Sequence, residues 1–264
     1  VDGTGLDLVV LEGEGAAIHQ ALDRVLFPAD RVRLDAPQPA SLVRLAGPLP
    51  AGVVSGASGQ WQPVPGGAGL LLQPEVSLGG TAGSPAVLLR CGDDRPAWLD
   101  DLSPLDPAGW QHWRLGQGFP ASPGELNDGC NPFELGLAGW VSLSKGCYVG
   151  QETLAKLATY DGVKQQLRRW LWRADATGTP PGSPPDGDPL SPGTALVTTA
   201  GERAGVITSV LHLGAPDPAG AVVGLALVRR SALAATGLLA GGRALEISTP
   251  AAFEAPPVGA GKGA

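Results

Sequence analysis

The most informative stretch of the chain is Lys145-Gly146-Cys147-Tyr148-Val149-Gly150-Gln151-Glu152. It places a cysteine between a lysine and a helix predicted over residues 153–157, in which Leu154 and Leu157 share one face. A neighbouring cation and a helix N-terminus both favour the thiolate form of a cysteine. We therefore expect Cys147 to be the most reactive thiol of the chain. The ordinary alternative is a small buried cysteine beside a solvated lysine.

Motifs on both sides of this octapeptide extend the pattern. They are Arg114 with Gly118 and Pro120, Asn131-Pro132-Phe133-Glu134-Leu135-Gly136-Leu137, Gly162-Val163-Lys164, Gly205-Val206-Ile207-Thr208-Ser209 and Gly224-Leu225-Ala226-Leu227-Val228-Arg229. Together they resemble the YgfZ-type folate-binding proteins, whose octapeptide is K-G-C-Y-x-G-Q-E. These proteins are relatives of the aminomethyltransferase (T-protein) of the glycine cleavage system. The resemblance runs from about residue 6 to about residue 247 and is strongest over residues 114–167.

The resemblance implies an α+β fold of the T-protein/YgfZ type. A folate-binding domain is expected over residues 1–164, followed by a C-terminal β-barrel domain over residues 165–264. Family members usually carry a further segment before the strand that matches residues 6–11, and this chain contains no methionine, even at position 1. The folate-binding domain is therefore expected to be N-terminally incomplete as written, which leaves the completeness of the ligand site open.

The resemblance also implies a ligand site for tetrahydrofolate or a one-carbon derivative of it. Glu134 is expected to accept two N–H hydrogen bonds from the pterin ring as a bidentate pair. The other expected cofactor-binding residues are Arg114, Lys145, Gly146, Tyr148 and Gln151, Cys147 is the candidate catalytic residue, and no metal site is expected. Without the motifs, Glu134 would be interpreted as a helix cap or surface residue, and Lys145 as a solvated one.

The function implied by the resemblance is support of iron–sulfur cluster assembly or maintenance, and through it of iron–sulfur-dependent tRNA modification. One alternative is an active aminomethyltransferase. The T-proteins typically have K-G-D-x-x-G-R/K-E at the octapeptide, whereas this chain has Cys147 for the acid and Gln151 for the basic residue. A second alternative is a non-catalytic scaffold regulated by folate. Whether any reaction is catalysed stays open.

Charge and composition limit the partners. The net charge of −7 argues against a broad phosphate-binding surface, so no direct nucleic-acid contact is expected. A local basic cluster is interpreted as a solvated strand and barrel rim; its members are Lys164, Arg168, Arg169 and Arg173. An acidic cluster at residues 93–101 is interpreted as a solvated loop. The expected partners are folate and iron–sulfur proteins or cluster-assembly factors.

The cysteine count indicates the compartment. The chain has three cysteines, Cys91, Cys130 and Cys147, and no C-x-x-C pair. An odd number of cysteines without such a pair is typical of a reducing environment. The sequence has no apolar run of the ~20 residues that a membrane span needs and no visible signal peptide. We expect a cytoplasmic monomer.

Periodicity and turn residues predict the secondary structure. Strands are predicted over residues 6–11, 32–34, 41–45, 70–72, 86–90, 140–143, 167–173, 194–199, 205–210, 221–229 and 243–247. A helix over residues 15–27 has a stripe expected to face the core, formed by Ile18, Leu22, Val25 and Leu26. A second helix begins at the cap Asp106-Pro107 and reaches about Leu115. Residues 177–192 are predicted to form a loop, and residues 255–264 a frayed end.

Overall fold

The computed structural model describes residues 5–10, 14–45, 61–64, 67–72, 86–90, 96–173, 190–214 and 221–259. The chain divides into two compact units. The first unit contains Val1–Ser77 and Ala82–Ser103, and the second contains Leu78–Thr81 and Pro104–Ala264. The boundary predicted near Lys164 lies inside the second unit, and a separate domain over residues 165–264 stays a prediction.

The first unit contains a four-stranded antiparallel sheet. Its strands, in the order β1-β4-β3-β2, are β1 (Ser41–Arg44), β2 (Trp61–Val64), β3 (Gly67–Leu72) and β4 (Ala86–Arg90). The unit also holds helix α1 (Gly15–Asp23) and 3-10 turns at Pro28–Asp30 and Ala97–Leu99. The strands predicted at residues 41–45, 70–72 and 86–90 are confirmed, whereas β2 was not predicted.

Four predictions in the first unit are wrong. Residues 5–10 and 32–34 are irregular instead of strands, and neither segment pairs with a strand in the described part of the unit. Helix α1 ends at Asp23, four residues before Phe27. Pro28 restricts the residue before it to extended backbone, and Phe27 has φ −110° and ψ 154°, so the helix must end earlier. The stripe on α1 is not a core face, because no residue of α1 is buried.

The second unit begins with helix α2 (Pro107–Gln117). The Asp106 carboxylate caps it by accepting the N–H of Gly109 at 2.6 Å, as the sequence predicted. The helix ends at Gly118, which has φ +77° and packs against Pro250 so closely that a Cβ would clash. Gly116 lies inside the helix, so α2 runs two residues beyond the predicted end.

The segment between α2 and the octapeptide is irregular except for a 3-10 turn at Ala138–Trp140. The strand predicted over residues 140–143 is therefore wrong. Val141 and Leu143 are apolar because they pack against the buried cluster of Phe133, Ala158 and Val163 instead of extending a sheet. Helix α3 (Gln151–Thr159) packs on the same cluster through Leu154 and Leu157, which confirms their shared face.

A closed six-stranded antiparallel barrel completes the second unit. Its strands, in the order β10-β5-β8-β7-β6-β9, are β5 (Gln165–Trp172), β6 (Ala195–Val197), β7 (Arg203–His212), β8 (Val222–Arg229), β9 (Gly237–Ala240) and β10 (Arg243–Ser248). Trp170 is fully buried in its core and donates its indole N–H to the Leu225 carbonyl at 3.1 Å. The α+β fold with a C-terminal barrel is confirmed, although β9 was not predicted.

The remaining predictions concern the loops. Of the loop over residues 177–192, all but residues 190–192 lies outside the described residues. Residues 255–259 are irregular, but the Gly259 N–H donates to the Ala158 carbonyl at 3.1 Å, so this part of the tail is attached to α3. Residues 260–264 lie outside the described part.

Candidate functional site

The octapeptide forms an exposed turn, and hydrogen bonds of the Gln151 side chain stabilise its conformation. The Gln151 side chain accepts the Tyr148 N–H at 3.3 Å and donates to the carbonyls of Leu143 at 3.2 Å and Lys145 at 3.1 Å. Gly150 precedes α3 with φ +88°, a conformation that residues other than glycine rarely adopt. In this structure Gln151 therefore stabilises the turn, and its predicted contact with a ligand stays a prediction.

Cys147 lies in this turn with an exposed side chain. Helix α3 begins at Gln151 with Gly150 as its N-cap, so Cys147 precedes the N-cap by three residues. The Lys145 ammonium lies 4.9 Å from the centroid of the Tyr148 ring, in a cation–π contact. Gly146 faces open space, and the buried Tyr148 hydroxyl has no hydrogen-bond partner among the described residues. The turn therefore presents the thiol to solvent.

Cys130 is in a contrasting environment. Its thiol is partly buried, and burial raises its pKa, with further contributions from the negative charges of Glu134 and Glu125. A raised pKa means that less thiolate is present near neutral pH. Cys91 lies outside the described residues. The structure thus favours Cys147 over Cys130 as the accessible nucleophile.

We expect iodoacetamide to alkylate Cys147 several-fold faster than Cys130 at neutral pH. The alkylation rate of Cys130 should keep rising at alkaline pH above the usual thiol range, because its pKa is raised. Timed labelling with peptide mass mapping at several pH values measures both rates. The unfolded chain, in which the thiols have similar environments, is the control. Faster labelling of Cys130 in the folded chain would contradict the assignment.

Glu134 lies in a separate place, inside a tight turn over residues 132–136. Its Oε2 atom accepts the Asn131 N–H at 3.1 Å, and the Asn131 side chain accepts the N–H of Glu134 at 3.1 Å. The Glu134 carbonyl accepts the Leu167 N–H at 2.7 Å, which attaches the turn to β5. The residue is only 8% exposed, and within the described residues no donor reaches its Oε1 atom. One carboxylate oxygen is therefore available to a ligand.

Glu134 helps to line a cavity of about 600 Å³, a size that suits a small organic molecule. The charged and polar residues around it include Asp161, Lys164, Arg229, Arg230 and Ser231. Pairing of β5 with β8 places Gln165 opposite Arg229, and the Arg230 N–H donates to the Lys164 carbonyl at 2.8 Å. Three cations therefore meet where β5 begins and β8 ends.

Arg114 belongs to a buried network instead of the cavity wall. Its guanidinium donates to the Gln111 side chain at 2.8 Å and the Phe119 carbonyl at 2.7 Å, and it lies 3.5 Å from the carboxylate of Glu125. Glu125 is fully buried and accepts the Ser209 hydroxyl at 2.6 Å. These contacts attach α2 to β7. A ligand contact of Arg114 stays a prediction.

The interpretation of the basic cluster is wrong at Arg168, which is buried and not solvated. Its guanidinium donates to the Leu167 carbonyl at 2.9 Å and to the Gln166 side chain at 2.8 Å, and lies 5.1 Å from the centroid of the Phe253 ring. Burial lowers the pKa of Arg168. The long side chain packs its stem in the barrel wall while these acceptors receive its N–H groups.

The predicted site residues thus occupy three places. Of them, Glu134 lines the cavity, Arg114 lies in the buried network, and the others form the exposed turn that carries Cys147. The cations Arg229 and Arg230 were not predicted, because only strand pairing brings them to Glu134. In the described ranges, no group of three His, Cys, Asp or Glu residues is arranged to hold a metal ion. No helix in those ranges is long and apolar enough to cross a bilayer.

Comparison with known proteins gives partial matches. No protein-family model matches the chain. A stretch of 64 residues is 50% identical to "Putative transferase At1g60990, chloroplastic" of Arabidopsis thaliana, and covers 24% of this chain and 15% of that protein.

Among solved structures, the chain is similar to the glycine cleavage system aminomethyltransferase T from Bartonella henselae. The TM-score is 0.45 and the sequence identity 17%, over 72% of this chain and 49% of that one. The two matches thus cover less than half the length of the Arabidopsis protein and of the Bartonella protein. The likeness therefore does not establish the activities of those proteins for this chain.

Proposed function

We propose that the chain binds tetrahydrofolate, or a one-carbon derivative, in the cavity beside Glu134, and thereby supports iron–sulfur cluster assembly or maintenance. The observation that carries the folate proposal is the partly satisfied carboxylate of Glu134, a residue that lines a cavity together with Lys164 and Arg229. A reduced folate has the complementary groups, since its pterin ring bears N–H donors and its glutamyl tail bears carboxylates.

The Glu134 carboxylate suits the pterin end of such a ligand. A buried carboxylate forms stronger hydrogen bonds than an exposed one, because the surroundings are less polarisable than water. The Asn131 N–H holds Oε2 in place, so the carboxylate is oriented before a ligand arrives. The residues present therefore fit a folate, with Glu134 as the group that would recognise its ring.

The iron–sulfur part of the proposal is supported by the resemblance of the octapeptide and by the exposure of Cys147. A thiolate is a soft ligand that suits iron–sulfur centres. We propose that the partners are iron–sulfur proteins or cluster-assembly factors, including those whose clients modify tRNA, and that the chain acts as a cytoplasmic monomer without binding nucleic acid itself.

An aminomethyltransferase is the second candidate, and the name of the Arabidopsis protein, a putative transferase, is compatible with a group-transfer reaction. If the chain is an aminomethyltransferase, the purified protein should release ammonia from an aminomethyl donor in a reaction that depends on folate. Because Cys147 and Gln151 replace the acid and the basic residue typical of the T-proteins, we expect no such turnover. Folate binding without turnover, in a chain whose cellular role does not need Cys147, would favour the non-catalytic scaffold.

Replacement of Glu134 by glutamine should weaken binding of 5-formyltetrahydrofolate by about 2–4 kcal/mol. The substitution keeps the side-chain size and removes the negative charge that strengthens the hydrogen bonds from the pterin ring to the carboxylate. Isothermal titration calorimetry measures the change, with Glu152→Gln as the matched control, because Glu152 is an exposed carboxylate that pairs with Lys156 on α3. Unchanged affinity in a folded Glu134→Gln variant would remove Glu134 from the site.

A further inference from the structure

The cavity has a positive rim on a protein whose net charge is −7. The rim consists of Lys164, Arg229 and Arg230, which lie together because β5 and β8 are paired and the Arg230 N–H binds the Lys164 carbonyl. Among the described residues, no ion pair involves Lys164 or Arg229. Two of the three cations are therefore available to an anionic group that enters the cavity.

Arg230 is already engaged by Asp161. Its guanidinium donates both to the Asp161 carboxylate and to the Asp161 carbonyl, and both residues line the cavity. The Asp161 side chain is 41% exposed and that of Arg230 is 52% exposed. Asp161 has φ +51°, a left-handed conformation that few residues other than glycine adopt, and that the two contacts with Arg230 support.

Such a pair is suited to exchange. An ion pair with this much solvent exposure contributes little net stability, so a second carboxylate can replace Asp161 on Arg230 at small cost. The hydrogen bond from Arg230 lowers the pKa of Asp161, so Asp161 remains charged at neutral pH. The aspartate therefore acts on Arg230 as a negative group competing with any anion that approaches the rim.

We propose that Lys164, Arg229 and Arg230 form an anion subsite for the carboxylates of the ligand's tail, and that Asp161 competes with those carboxylates for Arg230. This inference rests on the proposed folate function, in which Glu134 binds the pterin end of the same molecule. Asp161 then determines specificity: it lowers affinity for ligands with an anionic tail and leaves affinity for the bare ring unchanged.

The test compares two compounds on the whole chain by anaerobic calorimetry. Tetrahydrofolate carries the glutamyl tail, and 6-methyltetrahydropterin has the ring without it. Asp161→Asn keeps the size and the left-handed backbone, which asparagine tolerates well. It should bind tetrahydrofolate about 5-fold more tightly than the unmodified chain, because the neutral amide no longer competes for Arg230.

The opposite change is expected on the cationic side. Lys164→Gln and Arg229→Gln should each weaken tetrahydrofolate binding about 5-fold. Lys164→Gln, Arg229→Gln and Asp161→Asn should all leave the affinity for 6-methyltetrahydropterin unchanged. Arg203→Gln is the charge-matched control, because Arg203 is an exposed residue of β7 that does not line the cavity. Thermal melting of each variant shows that it is folded.

The outcomes separate this inference from the proposed function. If Asp161→Asn weakens tetrahydrofolate binding or leaves it unchanged, the proposed role of Asp161 is wrong, while the proposed folate function stands. Equal effects of the rim variants on both compounds, or an effect of Arg203→Gln as large as theirs, would overturn the tail subsite. If neither compound binds the unmodified chain, the proposed function is wrong and this inference falls with it.

Discussion

Replacement of Glu125 by alanine is expected to lower the free energy of unfolding by about 3–5 kcal/mol. Glu125 is fully buried, and its carboxylate accepts the Ser209 hydroxyl, accepts the Ala121 N–H at 3.1 Å and faces the buried guanidinium of Arg114. Its removal leaves a buried cation without its counter-charge and two donors without an acceptor. The cost of leaving such groups unpaired exceeds what the intact pair contributes.

Chemical denaturation measures this loss, with Glu202→Ala as the control. Glu202 is an exposed carboxylate before β7, and its removal should change stability by less than about 0.5 kcal/mol. The double variant Arg114→Met with Glu125→Leu should lose less stability than the two single variants combined, because neither charge is then left alone. A Glu125→Ala variant within 1 kcal/mol of the unmodified chain would show that the network is not structurally important.

The same network decides between two roles for Arg114. The resemblance implied a place in the ligand site, whereas the structure places its guanidinium in the buried network with Gln111, Phe119 and Ser209. If a folded Arg114 variant loses stability but binds folate normally, Arg114 holds α2 on the barrel and does not bind ligand. Glu125 gave no signal in the sequence, because it lies in a turn-rich polar segment where a charged residue is ordinarily solvated.

The elements that the sequence predicted well are those with strong local signals. The Asp106-Pro107 cap determines the start of α2, and the alternation around Trp170 determines β5. The elements that it missed depend on distant partners. Strand β9 has only four residues and is followed by the turn Gly241-Gly242. It becomes a strand because it bridges β10 and β6 in the closed barrel.

The strand predicted over residues 140–143 was wrong because its apolar residues pack against a cluster instead of a sheet. Val141 and Leu143 are apolar because they contact the cluster under α3, and periodicity alone does not distinguish that environment from a sheet. Local sequence patterns were also insufficient to predict the residues around the cavity. Glu134 was found through its motif, but Asp161, Arg229 and Arg230 reach it only through the register of β5 with β8, which no local pattern determines.

Replacement of Cys147 by serine should abolish support of iron–sulfur enzymes in cells that lack the native protein. The structure separates this residue from the other proposed chemistry, because Cys147 is exposed in its turn and does not line the cavity. Serine keeps the size and removes the soft thiolate ligand. Folate affinity should therefore be unchanged, and the free energy of unfolding should change by less than about 0.5 kcal/mol.

The decisive comparison is with a neighbour in the same turn. Val149 is fully exposed, and Val149→Ser introduces a hydroxyl without touching the thiol, so this variant should support the iron–sulfur enzymes fully. Activity of those enzymes in complemented cells, measured beside folate calorimetry on the purified variants, tests the thiol directly. A scaffold that only bound folate would work equally well with serine at position 147. Full complementation by Cys147→Ser would therefore remove the thiol from the function and leave the folate-regulated scaffold as the better account.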